Sequence, residues 1–254
     1  MKIAVITGAS SGIGREFVHQ LTAQQSFDEV WLIARRKEKL EQLAKEIGVP
    51  VRVIAMDLTS YAAFDEYSAL LEEQKPQIAV LVSASGYGKF EAFTNIKLAE
   101  QLEMIDLNDK ALVAITYLSL PYMSRGSNVY QIGSLSSFQP VPYISVYGAT
   151  KAFVLSFTRA VNAELRHTGI KMMAVCPGWV KTEFFDRAVT DESVITYYNK
   201  FFTAEQVVTK ALKDMQKGKD VSVVGPSIRA QVLMTKLLPH RLVMKIWLMQ
   251  QKKK

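Results

Sequence analysis

The sequence predicts an α/β protein: a doubly wound parallel sheet with helices on both faces. Three observations point there. Short β-branched runs alternate with helical patterns along most of the chain, the pattern of strands joined by crossover helices. A glycine-rich turn follows the first run and opens the first helix. The length, 254 residues with 49% apolar and 22% charged, suits one domain of the larger α/β kind.

The elements follow in order. Residues 2–7 form a strand and 12–24 a helix; 29–34 is a strand, followed by a charged helix over 37–47. Residues 51–56 form a strand, about 60–74 a helix, 77–83 a strand, and roughly 98–123 a long helix. Strand 128–133, helix 146–166, strand 171–176, helix 204–217 and strand 220–224 complete seven strands. No repeat or composition break divides this body. The organisation expected is a catalytic domain over 1–226 and a C-terminal extension over 227–254. The irregular stretch from Pro177 to about Thr203 is of a length usually functional or mobile in compact domains.

Charge locates a partner question. Seven of the 31 basic residues lie after position 227: Arg229, Lys236, Arg241, Lys245, Lys252, Lys253 and Lys254. The rest of the chain has 24 basic and 24 acidic residues, and no Asp or Glu follows Asp220. A neutral body argues against nucleic-acid binding and leaves the tail to explain. The lone Cys176 excludes an internal disulfide framework and fits a reducing compartment. The N-terminal apolar run is too short for a signal peptide, and 111–123 is too short and interrupted to span a bilayer. The expectation is a cytoplasmic protein. His19, His167 and Cys176 lack metal-ligand spacing, so no metal site is expected.

In the turn Thr7-Gly8-Ala9-Ser10-Ser11-Gly12-Ile13-Gly14, glycines let the backbone approach a pyrophosphate that the helix N-terminus faces. The spacing G-x-x-x-G-x-G is neither G-x-G-x-x-G nor a P-loop. At the end of the second strand, where NAD enzymes usually place an acid, stand Ala34-Arg35-Arg36. Two guanidiniums suit the 2′-phosphate of NADP(H); otherwise they are solvated residues opening a surface helix. Asp57, with Leu58 beside it, either accepts from an adenine amino group or caps the next helix.

Tyr147 and Lys151 stand four apart, on one face of a helix. A nearby ammonium favours the phenolate and lowers the phenol pKa, which suits a tyrosine that exchanges a proton with a carbonyl or alcohol oxygen. Ser134, at a strand end, offers a hydroxyl to the same oxygen, with Ser136 and Ser137 as competing turn residues. Together the glycine turn, Ser134, Tyr147-x-x-x-Lys151 and Pro177-Gly178 resemble the short-chain dehydrogenase/reductase family over about residues 1–224. The resemblance implies a seven-stranded Rossmann-type sheet and an NAD(P)-linked oxidoreductase. By it Tyr147 is the general acid/base, Lys151 binds the nicotinamide ribose and lowers the tyrosine pKa, and Ser134 orients the carbonyl. Asn108 matches the helix asparagine that holds a proton-relay water, a position otherwise read as a surface amide. Thr182 matches a cofactor-touching threonine, and Arg35 the basic residue of NADP-preferring members. Ser85, Gly86, Pro177, Gly178 and Val180 join the turn, Arg36, Asp57 and Leu58 as candidate cofactor contacts. Ser83-Ala84-Ser85-Gly86 replaces the usual Asn-Asn-Ala-Gly, so an amide that ties the central strands is gone.

Seven aromatics lie between Trp179 and Phe202, and Tyr87, Phe90, Phe93, Phe138 and Tyr143 follow strands four and five. They either line a pocket for a bulky apolar ketone or alcohol, steroid-like or fatty acyl-like, or pack a lid or subunit contact. Pro239 should split the tail into two helical pieces. In the second, Arg241, Lys245 and Lys252 make a narrow stripe and Leu242, Val243, Met244, Ile246, Trp247, Leu248 and Met249 cover most of the rest. That surface covers the pocket mouth, joins another subunit or lies on a membrane; its narrow polar stripe favours burial against protein. An NADP(H)-dependent carbonyl reductase or alcohol dehydrogenase, a homo-oligomer, is the leading expectation. A dinucleotide-sensing regulator and a membrane-docked scaffold are the alternatives.

Overall fold

The computed structural model describes residues 1–189 and 191–253; Lys254, the last cation of the tail, lies outside them. The strands are β1 Lys2–Thr7, β2 Glu29–Ala34, β3 Val51–Ala55, β4 Gln77–Ser83, β5 Asn128–Ile132 and β6 Lys171–Val175, with two-residue β7 Trp179–Val180, β8 Phe201–Phe202 and β9 Val221–Ser222. The helices are α1 Gly12–Gln24, α2 Lys37–Glu46, α3 Tyr61–Gln74, α4 Leu98–Ile105, α5 Ala111–Ser119, α6 Ser145–Glu164, α7 Phe184–Ala188, α8 Ala204–Gln216, α9 Pro226–Leu237 and α10 His240–Gln250.

The sheet has seven strands in the order β3-β2-β1-β4-β5-β6-β9, all parallel. Its central strands are buried on both faces, which is why they read as continuous apolar runs; only Lys2 is exposed in β1. One core lies under α1, α2 and α8, with Phe17, Leu21, Leu40 and Leu212. The other lies under α3 and α5, with Phe64, Tyr67, Leu71 and Ile115. A third cluster, around Phe90, Ile144, Ile195 and Trp247, joins the carboxyl ends of the strands to the C-terminal helices.

The long helix expected over 98–123 is broken. A π-helical stretch, Asp106–Lys110, separates α4 from α5, and Pro121 tightens the end into a 3-10 turn. An extra residue per turn rotates the following side chains, and such bulges gather at functional sites. Here the turn contains Asn108, fully buried. The seventh sheet strand is shorter than expected, Val221–Ser222, because only Ala174 and Val175 of β6 pair with it. The stretch from Pro177 to Thr203 is not wholly irregular: β7 and β8 pair in parallel and α7 lies between them.

Candidate active site

Strand order reverses between β1 and β4, and a cavity of about 1030 Å³ opens at the carboxyl ends there, the place where doubly wound sheets bind ligands. The turn after β1 forms one end. Gly8 has φ +66°, and a Cβ on it would stand 2.6 Å from the backbone of Ala84. A Cβ on Gly14 would stand 2.3 Å from the Gly8 carbonyl oxygen. Both glycines are therefore demanded by backbone packing. The Thr7 hydroxyl accepts from the N–H groups of Ala84 and Ser85, 3.2 Å each, and so ties β1 to the segment where the family amide is missing. Ser83, in the amide's place, has a buried hydroxyl with no partner among the described residues. The first turn of α1 carries no acid, so its N-terminal N–H groups are free to face an anion.

The cations past β2 converge on the same end. Arg36 donates to the hydroxyls of Ser10 and Ser11, at 3.0 and 2.9 Å, and to the Glu183 carboxylate at 2.7 Å. Lys39 donates to both Glu183 oxygens, at 2.9 and 3.0 Å. Those bonds, from Lys39 first and then Arg36, hold Glu183 below the usual carboxylate range. Arg35 stands 4.0 Å from Asp57 and 3.8 Å from Glu103. Asp57 caps no helix. Its Oδ1 accepts from the N–H and hydroxyl of Thr59; burial pushes its carboxyl up, but these bonds together with the charges of Arg35 and Arg187 keep it low.

At the other end lies Tyr147, on the first turns of α6. Its ring packs 5.5 Å from that of Phe184 and 6.3 Å from that of Phe90. Burial pushes the phenol up to about 12, while a hydrogen bond with Ser134 works downward. The lowering expected from the neighbouring ammonium does not prevail. Lys151 donates to the Ile132 carbonyl at 2.8 Å and stands 5.7 Å from the tyrosine ring centre, and desolvation wins. Burial also brings Lys151 down to about 8, against the pull of Asp109. Asp109 is pushed up to about 7 by burial, and its Oδ1 finds no partner among the described residues.

Asn108 is no surface amide. It donates to the Tyr87 carbonyl and the Thr150 hydroxyl, both at 3.0 Å, and accepts from the Tyr87 N–H at 3.1 Å. It thereby fixes the segment after β4 against α6, one layer behind the cavity wall. Gly86 lies between: a Cβ there would reach within 2.8 Å of the Asn108 oxygen and 3.4 Å of the Lys151 ammonium. Ser137 supports Lys151, donating to its carbonyl at 2.7 Å, and Ser136 donates its N–H to the Ser134 hydroxyl at 3.2 Å. Ser134 and Ser136 both line the cavity, and Ser137 is held in the turn behind them.

Every candidate cofactor contact lines this cavity: the turn residues Gly8 to Gly14 apart from Ala9, Arg35, Arg36, Asp57, Leu58, Ser85, Gly86, Tyr147, Lys151, Pro177, Gly178, Val180 and Thr182. The aromatics divide. Trp179, Phe184, Phe185, Tyr197, Tyr87 and Phe90 line it, while Tyr198, Phe201 and Phe202 pack behind. Phe93 is exposed, and Phe138 and Tyr143 lie off the wall. The tail supplies the remaining side: Leu238, Val243, Ile246 and Trp247 line the cavity, and Trp247 donates to the Pro142 carbonyl at 3.0 Å. Gln251, buried, clasps α10 to the loop by accepting from the N–H groups of Thr196 and Tyr197 and donating to the Tyr197 carbonyl. Lys39, Glu183, Gly88, Asp109 and Gln251 had no signal at motif level. Gly88 is the plainest case, since a Cβ there would stand 2.9 Å from the Tyr147 ring.

The family model described as short chain dehydrogenase matches residues 2–193. Sulfoacetaldehyde reductase 2 of Chromohalobacter salexigens is 35% identical over 191 residues, 72% of this chain and 74% of that protein. An uncharacterized oxidoreductase of Staphylococcus epidermidis is 31% identical over 183 residues, 71% of this chain and 79% of that one. Among solved structures, a short-chain dehydrogenase from Sphingobium yanoikuyae in complex with NADPH superposes with a TM-score of 0.79, at 27% identity and 96% coverage of both chains.

Proposed function

The chain belongs to the short chain dehydrogenase family, and from that premise we propose an NADP(H)-dependent oxidoreductase that interconverts a ketone and a secondary alcohol on a bulky apolar substrate. One observation carries the reading. A single cavity runs from a glycine turn flanked by Arg35 and Arg36 to a half-buried tyrosine walled by aromatic rings. The residues fit a dinucleotide. Gly8 and Gly14 keep side chains away from the turn, Ser10, Ser11 and the N-terminus of α1 face phosphate, and Arg35, Arg36 and Lys39 suit a 2′-phosphate. The Sphingobium enzyme of like fold binds NADPH, in support.

When bound, the nicotinamide supplies the hydride that reaches the carbonyl carbon. The chain's own residues manage the oxygen. Tyr147, protonated well above neutral pH, gives its phenolic proton to the carbonyl oxygen as that oxygen gains charge. Ser134 donates to the same oxygen and orients it. Lys151, cationic at neutral pH and anchored on Ile132, meets the ribose and steadies the phenolate left on Tyr147. Asn108 positions α6 against the segment after β4. The aromatic wall excludes water and accepts apolar bulk. A dinucleotide sensor needs neither the tyrosine nor the lysine, so their pairing speaks for catalysis.

The test is oxidation of NADPH, followed by absorbance, over a panel of steroid ketones, long-chain 3-oxoacyl thioesters and small anionic aldehydes. Turnover on the bulky ketones supports the reading. Turnover confined to the small aldehydes, the class named in the Chromohalobacter relative, replaces the substrate but keeps the chemistry. A homo-oligomer belongs to the proposal too: Leu98, Leu102, Tyr117 and Phe153 are exposed on α4, α5 and α6, and light scattering checks it.

A further inference from the structure

The two C-terminal helices each bury one face and leave another apolar face in water. In α9, Ile228, Val232 and Thr235 are buried, while Leu233 and Leu237, one turn apart, are exposed, Leu237 at 74%. In α10, Val243 and Trp247 are buried, while Leu242, Ile246 and Met249 are exposed, Met249 at 66%. Burial against the protein, favoured by the sequence, therefore accounts for half of this surface only. The remaining stripes are too apolar for a face that meets only water.

Cations edge both stripes. Arg229 and Lys236 share one side of α9; Arg241 and Lys245 share one side of α10, and Lys252 stands in the turn that ends it. Among the described residues none of these five forms an ion pair with an acid. No acid exists in this part of the chain, since none follows Asp220, and the net charge of +7 is the excess that the tail carries. Five of the seven cations that make up this excess thus stand beside or at the end of the C-terminal apolar stripes.

We propose that the α9–α10 surface docks the protein on an anionic lipid bilayer, with Leu233, Leu237, Leu242 and Met249 entering the headgroup boundary and the basic edges meeting anionic headgroups. An apolar stripe with a cationic border is the pattern of helices lying in the membrane plane. No helix among the described residues is long and apolar enough to cross a membrane, so the contact is peripheral. The cavity tells lipid from a second copy. Met234 and Ile246 are exposed and also line the cavity, so its mouth opens on this same surface. A rigid partner seated there would seal the mouth. A fluid apolar layer would leave it open to molecules dissolved in it, a consequence that rests on the cavity taking the apolar substrate proposed above.

The experiment is sedimentation of the full-length protein with sucrose-loaded vesicles, either phosphatidylglycerol with phosphatidylcholine or phosphatidylcholine alone, without substrate or cofactor. Two variants accompany it: Leu237→Ser with Met249→Ser, and Arg241→Glu with Lys245→Glu. All four residues lie off the cavity wall and on the surface, so circular dichroism should show both variants folded. The wild type should pellet with the anionic vesicles at low salt and be released at high salt. The charge-reversal variant should partition about tenfold more weakly or worse, each basic residue near such a surface being worth roughly a factor of five. The serine variant should also bind more weakly. Wild type that stays in the supernatant at low salt overturns the proposal, as do variants that bind like wild type. So does a wild-type oligomer that the serine variant dissociates without any vesicle binding, which would assign the stripes to a second copy. None of these readouts involves turnover, so they stand or fall apart from the proposed reaction.

Discussion

Among the described residues Ser83 carries a buried hydroxyl without a partner, and its register neighbour on β5, Gln131, has a buried Oε1 in the same condition. A polar group desolvated without a bond costs about 1–3 kcal/mol. Ser83→Ala should therefore leave the protein as stable or raise its stability by about 1 kcal/mol in chemical denaturation, and a clear loss would show a partner for that hydroxyl. Asp109 yields a pH-dependent prediction. Its carboxyl is raised from 3.8 to about 7, chiefly by burial, so the folded protein holds a proton that the unfolded chain has given up. The stability this contributes is complete below pH 3.8 and is lost as pH rises through about 7. Asp109→Asn should remove that loss: its urea midpoint should gain on wild type from about pH 5 to pH 8, whereas parallel curves would place Asp109 in contact with water. That Ser134, Tyr147 and Lys151 share one cavity was legible because residue type and helical spacing go together in the chemistry proposed for them. Asp109 was not, because it stands in the π-helical stretch, which no spacing in the sequence marks.

At the scale of elements, boundaries set by glycine, proline and apolar runs were readable, down to β1, α1, β2 and β4 residue by residue. Contacts between distant elements were not. Glu183 meets Arg36 across 147 positions and Lys39 across 144, and only the fold brings the loop before α7 to the start of α2. The arginines yield a prediction at this scale. Arg35→Ala with Arg36→Ala should weaken NADPH at least tenfold more than NADH, as expected when charge-assisted bonds worth about 1.5–3 kcal/mol to a 2′-phosphate are lost. Fluorescence titration measures both, and equal losses would mean that these arginines do not read the phosphate. The clasp between α10 and the aromatic loop gives another. Gln251→Ala leaves the N–H groups of Thr196 and Tyr197 without their acceptor, so the KM for a bulky ketone should rise several-fold while NADPH affinity stays unchanged. An unaltered KM would detach the tail from the pocket.

For the whole molecule, the parallel sheet was legible because seven apolar strands alternating with helices admit few other layer arrangements. Its order then dictates the site: reversal between β1 and β4 opens the crevice, and the glycine turn, Arg35, Arg36, Ser134, Tyr147 and Lys151 reach it from a carboxyl end or the helix that follows. The tail's place in the wall could not be read in the same way, since an amphipathic helix states that a face will be covered but not by what. On the proposed function, Tyr147 hands the proton over in an NADPH-dependent carbonyl reduction. Single-turnover and steady-state oxidation of NADPH should be measured on the best ketone for wild type and Tyr147→Phe, together with NADPH binding by fluorescence. The variant removes one oxygen from a packed ring and keeps its shape. Turnover should fall about 10²- to 10⁴-fold with NADPH affinity preserved. Turnover within a few-fold of wild type would contradict the claim and send the search for the proton donor elsewhere in the cavity.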